Sequence, residues 1–231
     1  MDDNMDRERP KMAAMNEPHL ACVLLMDTSG SMYGEKIDNL NKAINDFRTQ
    51  TLQDELTKKR LDVAVVKFDD TIEVVQDFTP ITNMEPIHLE CGGQTNMCAA
   101  IDKAIDMIIE RNRLYNSLGT PCFKPWIFMI TDGMPTDYQR LEEVAQRIYQ
   151  ESTRGSKGHL KFFALGVGDY VQEVLFALTD KVMELTDMDF GTIFNWLSES
   201  MTTISSSRPG EGVQLPMLPP NARIVPNSWG D

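Results

Sequence analysis

Basic residues are scarce in this chain. Only 22 lysines and arginines stand against 35 aspartates and glutamates, a formal net charge of −13. A general nucleic-acid binder needs clustered Lys/Arg to displace phosphate counterions, and docking on an anionic membrane surface needs the same, so both classes are disfavoured. Long apolar runs are missing too, with no stretch near the ~18 residues of a membrane span. Met1-Asp2-Asp3-Asn4-Met5-Asp6 lacks the basic start and apolar run of a signal peptide. There is no N-x-[ST] acceptor, and the four cysteines (Cys22, Cys91, Cys98, Cys122) form no C-x-x-C pair or evident disulfide framework. These absences point to a soluble protein of the reducing cytoplasm.

What is present suits one α/β domain. The 231 residues are 42% hydrophobic and 25% charged, ordinary globular values. A domain of this size buries enough surface to fold without disulfide or metal. Residues 1–17 are polar and methionine-rich and read as a flexible arm. The core spans 18–206, and 207–231, with five of the 12 prolines, reads as a tail that straps the domain or hangs free. Leu20–Met26 is a continuous apolar run closed by Asp27, the pattern of a strand buried on both faces. Further strands are expected at 61–68, 71–77, 126–130, 160–165 and 181–185. Helical spacing of apolar residues marks 35–53, a helix after Thr95, one after Asp137, a short one at 171–178, and one at 190–206. Asp137 and Asp189 are placed to cap the helices that follow them. Alternating strands and helices imply right-handed crossovers and a doubly wound, mostly parallel sheet of six strands, order 3-2-1-4-5-6, with one antiparallel edge strand.

In such a sheet, ligands bind beyond the carboxyl ends of the strands where strand order reverses. The first strand ends at Asp27 and the fourth at Asp132, which as neighbours would stand about 5 Å of backbone apart. Two anions that close need a counter-charge, and no lysine or arginine lies beside either in sequence. Beside Asp27 lies Thr28-Ser29-Gly30-Ser31, and Thr95 follows Gly92-Gly93 on another loop. Hard oxygen donors with two carboxylates are the ligand set of a magnesium-like dication. Taken singly, Asp-x-Ser is an ordinary cap or turn, Thr95 an N-cap, and Asp132-Gly133 a turn. Three separate segments placing such donors at one sheet edge are far more specific.

Asp27-Thr-Ser29-Gly-Ser31, Thr95 in a glycine-rich loop and Thr131-Asp132-Gly133 resemble the metal-ion-dependent adhesion site of von Willebrand factor A (VWA) domains, over roughly 18–205. Gln94 departs from the small residue expected before that threonine. Residues 131–137, Phe163–Asp169, Phe194–Ser198 and the tail segment 215–220 are similar to bacterial tellurium-resistance-type (TerY-like) members. The resemblance implies a VWA, Rossmann-like fold and a metal-dependent protein–protein interaction module of stress-response type. It implies Mg²⁺ or Mn²⁺, with Ca²⁺ less suited, held directly by Ser29, Ser31 and Thr95. Asp27 and Asp132 would act through bound waters, and a partner's carboxylate would fill an open position.

Competing readings are a Mg²⁺-dependent phosphatase-like hydrolase and a structural module with an unused site. A haloacid-dehalogenase-type phosphatase needs a second carboxylate two residues after the first, where Ser29 stands. Ser29–Lys36 does not supply a phosphate-binding P-loop. Gly166-Val167-Gly168 lacks the third glycine of a dinucleotide fingerprint and is better explained by tight packing. His19 and His159 fall where strands begin, away from the serines, and His88 lies in a loop, so no nucleophile triad assembles. The expectation is a non-enzyme with no catalytic residues.

Overall fold

The computed structural model describes residues 14, 16–153 and 159–226. Leu20–Asp27 forms β1, buried along its whole length. It lies between β2 (Leu61–Phe68) and β4 (Trp126–Thr131), parallel to both. A strand with two neighbours and helices on both faces has no solvent side, hence its unbroken apolar run. Alternate residues still part company. Leu20, Cys22, Leu24 and Met26 pack into one core with α1 (Glu35–Thr51) and α6 (Phe190–Ser205). Ala21, Val23 and Leu25 face the other, with α3 (Met97–Ser117), α4 (Leu141–Thr153) and α5 (Gln172–Leu178).

β3 (Ile72–Pro80) returns antiparallel beside β2 and has the part-exposed pattern of an edge strand. β5 (Lys161–Val167) and β6 (Val182–Leu185) extend the sheet in parallel on the far side. The expected six-strand order is present, and a seventh strand, β7 (Ala222–Ile224), pairs antiparallel with β6. Nothing in its three residues alternates, so periodicity could not reveal it. The chain before it supplies the reason: Leu215 and Leu218 pack on the α1/α6 core, and Trp196 Nε1 donates to the Pro216 carbonyl at 3.0 Å. This part of the tail is a strap. The proposed N-terminal arm lies almost wholly outside the described residues; within it, Glu17 pairs with Arg60 at 2.7 Å. The six-residue α2 (Glu55–Arg60), too short for periodicity, was not expected and is capped by Asp54.

At the end of the sheet where strands begin, a polar cluster is sealed in. Asp62 Oδ2 accepts the Tyr115 hydroxyl at 2.6 Å and lies 3.1 Å from both Arg111 Nη2 and His19 Nδ1. The His19 ring stacks on Tyr115 with centroids 4.8 Å apart. His159 stands at the same end, before β5. Gly166 is a packing glycine as expected, because a Cβ there would meet the Tyr170 ring at 2.4 Å. All four cysteines are free thiols, and burial pushes Cys22 up to about 12. Among the described residues no helix is long and apolar enough to cross a membrane.

Candidate metal centre

Strand order reverses between β1 and β4, so the chain leaving each strand enters a shared crevice. The register pairs Met26 with Ile130, which sets Asp27 opposite Thr131 with Asp132 one residue beyond. Asp27 is fully buried. Its Oδ2 accepts the Thr131 hydroxyl at 2.5 Å and its Oδ1 the Ser29 N–H at 2.9 Å. Burial raises the Asp27 carboxyl above its usual range; the bonds from Ser29 and Thr131 oppose this without cancelling it, and the charge of Asp132 adds to it.

The hydroxyls continue the chain. Ser29 Oγ lies 3.1 Å from Ser31 Oγ, and Ser31 Oγ donates to Asp132 Oδ1 at 2.6 Å. Thr95 arrives from the loop before α3, held by backbone bonds to two other site loops: Gly30 N–H donates to the Gly93 carbonyl at 3.1 Å, and Thr136 N–H to the Thr95 carbonyl at 2.9 Å. A Cβ on Gly133 would stand 3.7 Å from Thr95 Oγ1 and 3.9 Å from Ser31 Oγ, so these two hydroxyls close around one point. The structure thus brings all five expected donors to one crevice. Gln94 is exposed, and its N–H donates to Asp70 Oδ1 at 2.8 Å, so its size does not crowd Thr95.

Two supporting residues, Lys36 and Asp70, escaped the sequence reading, and a third, Asp137, was read for another helix. Lys36, in the first turn of α1, ion-pairs with Asp132 Oδ2 and donates to the Ser31 carbonyl at 3.2 Å. It is the counter-charge that no sequence neighbour supplies. Asp70, in the β2–β3 turn, props the Thr95 loop, its carbonyl also accepting Asn96 Nδ2 at 2.7 Å. Asp137 corrects an expectation. It precedes a single 3₁₀ turn (Tyr138–Arg140) and makes no side-chain cap there. Its carboxylate instead accepts Cys98 N–H at 3.1 Å and Ala99 N–H at 2.8 Å, capping α3 across space. An anion at that helix N-terminus satisfies orphan donors and suits the dipole.

The donor set is oxygen alone. Among the described residues no group of three or more His, Cys, Asp and Glu could hold a metal ion, and the five donors include none of the imidazoles and thiolates of a structural zinc site. Hydroxyls and carboxylates on three loops fit a hard dication. A groove of about 810 Å³, lined by Phe78, His88, Met107 and Arg111 among others, lies elsewhere and includes none of the five donors.

Residues 22–135 match the family model described as von Willebrand factor type A domain. No curated protein matches. Solved structures of similar fold include the ArnB paralog VWA2 from Sulfolobus acidocaldarius, at 20% identity over 80% of this chain and 46% of that one (TM-score 0.53). Another is a von Willebrand factor type A protein from Catenulispora acidiphila, at 17% identity over 83% and 47% (TM-score 0.55). A third is proximal thread matrix protein 1 from the mussel byssus, whose metal-ion-dependent adhesion motif holds zinc, at 17% identity over 84% and 46% (TM-score 0.53). The chain spans about half the length of these structures, and at such identities the likeness shows the fold.

Proposed function

Given that the chain carries a von Willebrand factor type A domain, we propose that it is a metal-dependent protein–protein interaction module. Ser29, Ser31 and Thr95 hold Mg²⁺ or Mn²⁺ through their hydroxyls, with Asp27 and Asp132 acting through bound waters. The observation that carries this reading is the run of bonds from Asp27 through Ser29 and Ser31 to Asp132, with the Thr95 hydroxyl closing on it at Gly133. The bound ion supplies an electrophilic position that accepts one carboxylate oxygen of a partner. Without it, a chain of net charge −13 repels an acidic partner. The motifs at 131–137, 163–169 and 194–198 support a place in a cytoplasmic tellurium-resistance or stress-response type complex.

Titration calorimetry tests the metal site. Wild-type protein is expected to bind Mn²⁺, and Asp27→Ala and Ser29→Ala to lose that binding. At 100 times the dissociation constant, the ion should add about 2.7 kcal/mol to wild-type stability, read as a higher melting temperature. Undiminished binding in both variants would place the ion elsewhere.

The rim of the crevice carries apolar groups. Tyr33 is 82% exposed two residues beyond Ser31, and Met134 is 50% exposed two residues beyond Asp132. Large exposed side chains beside a charged anchor fit a partner whose acidic residue is flanked by apolar ones. Tyr33→Ala is expected to weaken partner capture about tenfold, as for an interface aromatic, while leaving Mn²⁺ affinity unchanged. Pulldowns in Mg²⁺ and in EDTA, alongside calorimetry of the variant, separate the two effects.

A further inference from the structure

We propose that Lys36 is a tethered competitor for the divalent cation, an ammonium built into the chain that occupies the Asp132 carboxylate until an ion displaces it. This rests on the metal-binding reading above. Lys36 Nζ lies on Asp132 Oδ2 and 3.2 Å from the Ser31 carbonyl, touching the loops of two proposed donors. The Asp132 side chain is wholly buried and that of Lys36 is 24% exposed, so the lysine reaches in from the rim. Asp132 divides its oxygens, Oδ1 to Ser31 and Oδ2 to Lys36. The ammonium therefore satisfies the carboxylate oxygen that the serine leaves.

The surroundings favour an arm that can swing. A Cβ on Gly168 would stand 3.5 Å from Lys36 Nζ and 3.8 Å from both its Cε and the Met188 methyl. Gly168, at φ +64°, thus borders the lysine with bare backbone, and Met188 provides a flexible wall. Two buried carboxylates and one ammonium leave a single negative charge over. A dication entering this site meets a like charge beside Asp132, and that repulsion is strong where burial weakens solvent screening. Lys36 stabilises the metal-free crevice and lowers its affinity for the ion, so binding answers to metal concentration.

Calorimetric Mn²⁺ titrations of wild type, Lys36→Met and Lys36→Arg test this. Lys36→Met is expected to bind about tenfold tighter, the scale of coupling between close charges at partly buried sites, and to melt lower without metal. Lys36→Arg keeps the charge and should stay near wild type. A contact that merely held the loops would give the opposite result, so equal or weaker binding by Lys36→Met overturns the proposal. Failure of Ser29→Ala to reduce Mn²⁺ binding would instead sink the site assignment. If Lys36→Met folds poorly, mass-spectrometric acylation of wild type decides: Lys36 should label faster when Mn²⁺ is added, and an unchanged rate counts against displacement.

Discussion

Replacing Asp62 with alanine is expected to cost about 3–5 kcal/mol, the usual penalty for removing one partner of a buried ionic cluster. Asp62 is fully buried, and Arg111 is 7% exposed with its guanidinium 5.2 Å from the Phe78 ring centroid. The variant would leave the Arg111 charge with one carboxylate fewer in a site it cannot leave cheaply, and the Tyr115 hydroxyl without its acceptor. Burial alone would raise the Asp62 carboxyl, but the nearby His19 nitrogen, the Arg111 charge and the Tyr115 hydroxyl outweigh it and hold it below the usual range. A depressed folded pKa gives stability that is complete above the unfolded value, about 3.9 for aspartate. It is lost as pH falls toward the folded value. Urea melts should therefore show the gap between wild type and Asp62→Ala widest at neutral pH and narrowing below about pH 4, where the wild type surrenders the same contribution. A gap independent of pH would show that the aspartate charge contributes nothing. Metal affinity should not move, because Asp62 lies near the start of β2, at the opposite end of the sheet from Asp27.

The contrast between those two ends explains what could be read in advance. Buried strands announce themselves because both faces must be apolar, and 20–26, 61–68 and 126–130 have no other economical explanation. Once their order is known, the carboxylates that end β1 and β4 must meet. Ser29 and Ser31 come with Asp27, and Thr95 comes with its glycine loop, so the donor set was legible as spacing. Lys36 was not. A lysine in the first turn of an amphipathic helix is indistinguishable from any solvated lysine until the crossing of α1 over the sheet aims it at Asp132. The counter-charge of Asp132 comes from another element, far from it in sequence.

Asp137 failed for a related reason. Its position before an amphipathic run was a sound signal for a cap, but one 3₁₀ turn intervenes, and the nearest orphan N–H groups belong to α3. The local pattern was right about the chemistry and wrong about the helix. β7 illustrates a third limit. Three residues after a proline-rich stretch carry no period, and their pairing with β6 stands beside the contacts that Leu215, Leu218 and Asn221 make with the rest of the fold. Asn221 accepts from Thr186 through its backbone carbonyl at 2.8 Å and from the Thr192 hydroxyl through its side chain at 2.8 Å. Tertiary contacts make that strand, not propensity.

Trp196 tests whether this strap and the crevice are energetically separate. It is 5% exposed on α6, with ring centroids 6.3 Å from Trp126 and Phe163 and 6.4 Å from Phe128, and its Nε1 donates to the Pro216 carbonyl of the tail. Trp196→Ala removes a large buried side chain whose cavity the sheet cannot close, a loss of about 3–5 kcal/mol. For a chain of this length that is on the order of 10 °C in melting temperature. Trp196→Phe keeps most of the packing and deletes the N–H. Its cost should be nearer 1 kcal/mol, the net worth of one hydrogen bond plus a modest gap. Trp126 begins β4 and Asp132 follows its end, roughly 20 Å away at about 3.3 Å per residue. Thermal melts and Mn²⁺ titrations at low temperature should therefore diverge: both variants lose stability, and neither loses metal affinity. Should Trp196→Ala weaken the metal tenfold while still folded, α6 must transmit strain to α1, which it packs along through the Phe47–Phe194 edge contact at 6.0 Å and the Thr51–Ser198 hydroxyl pair at 3.3 Å. Because α1 also carries Lys36, that result would make the strap a control on the crevice rather than a fastening.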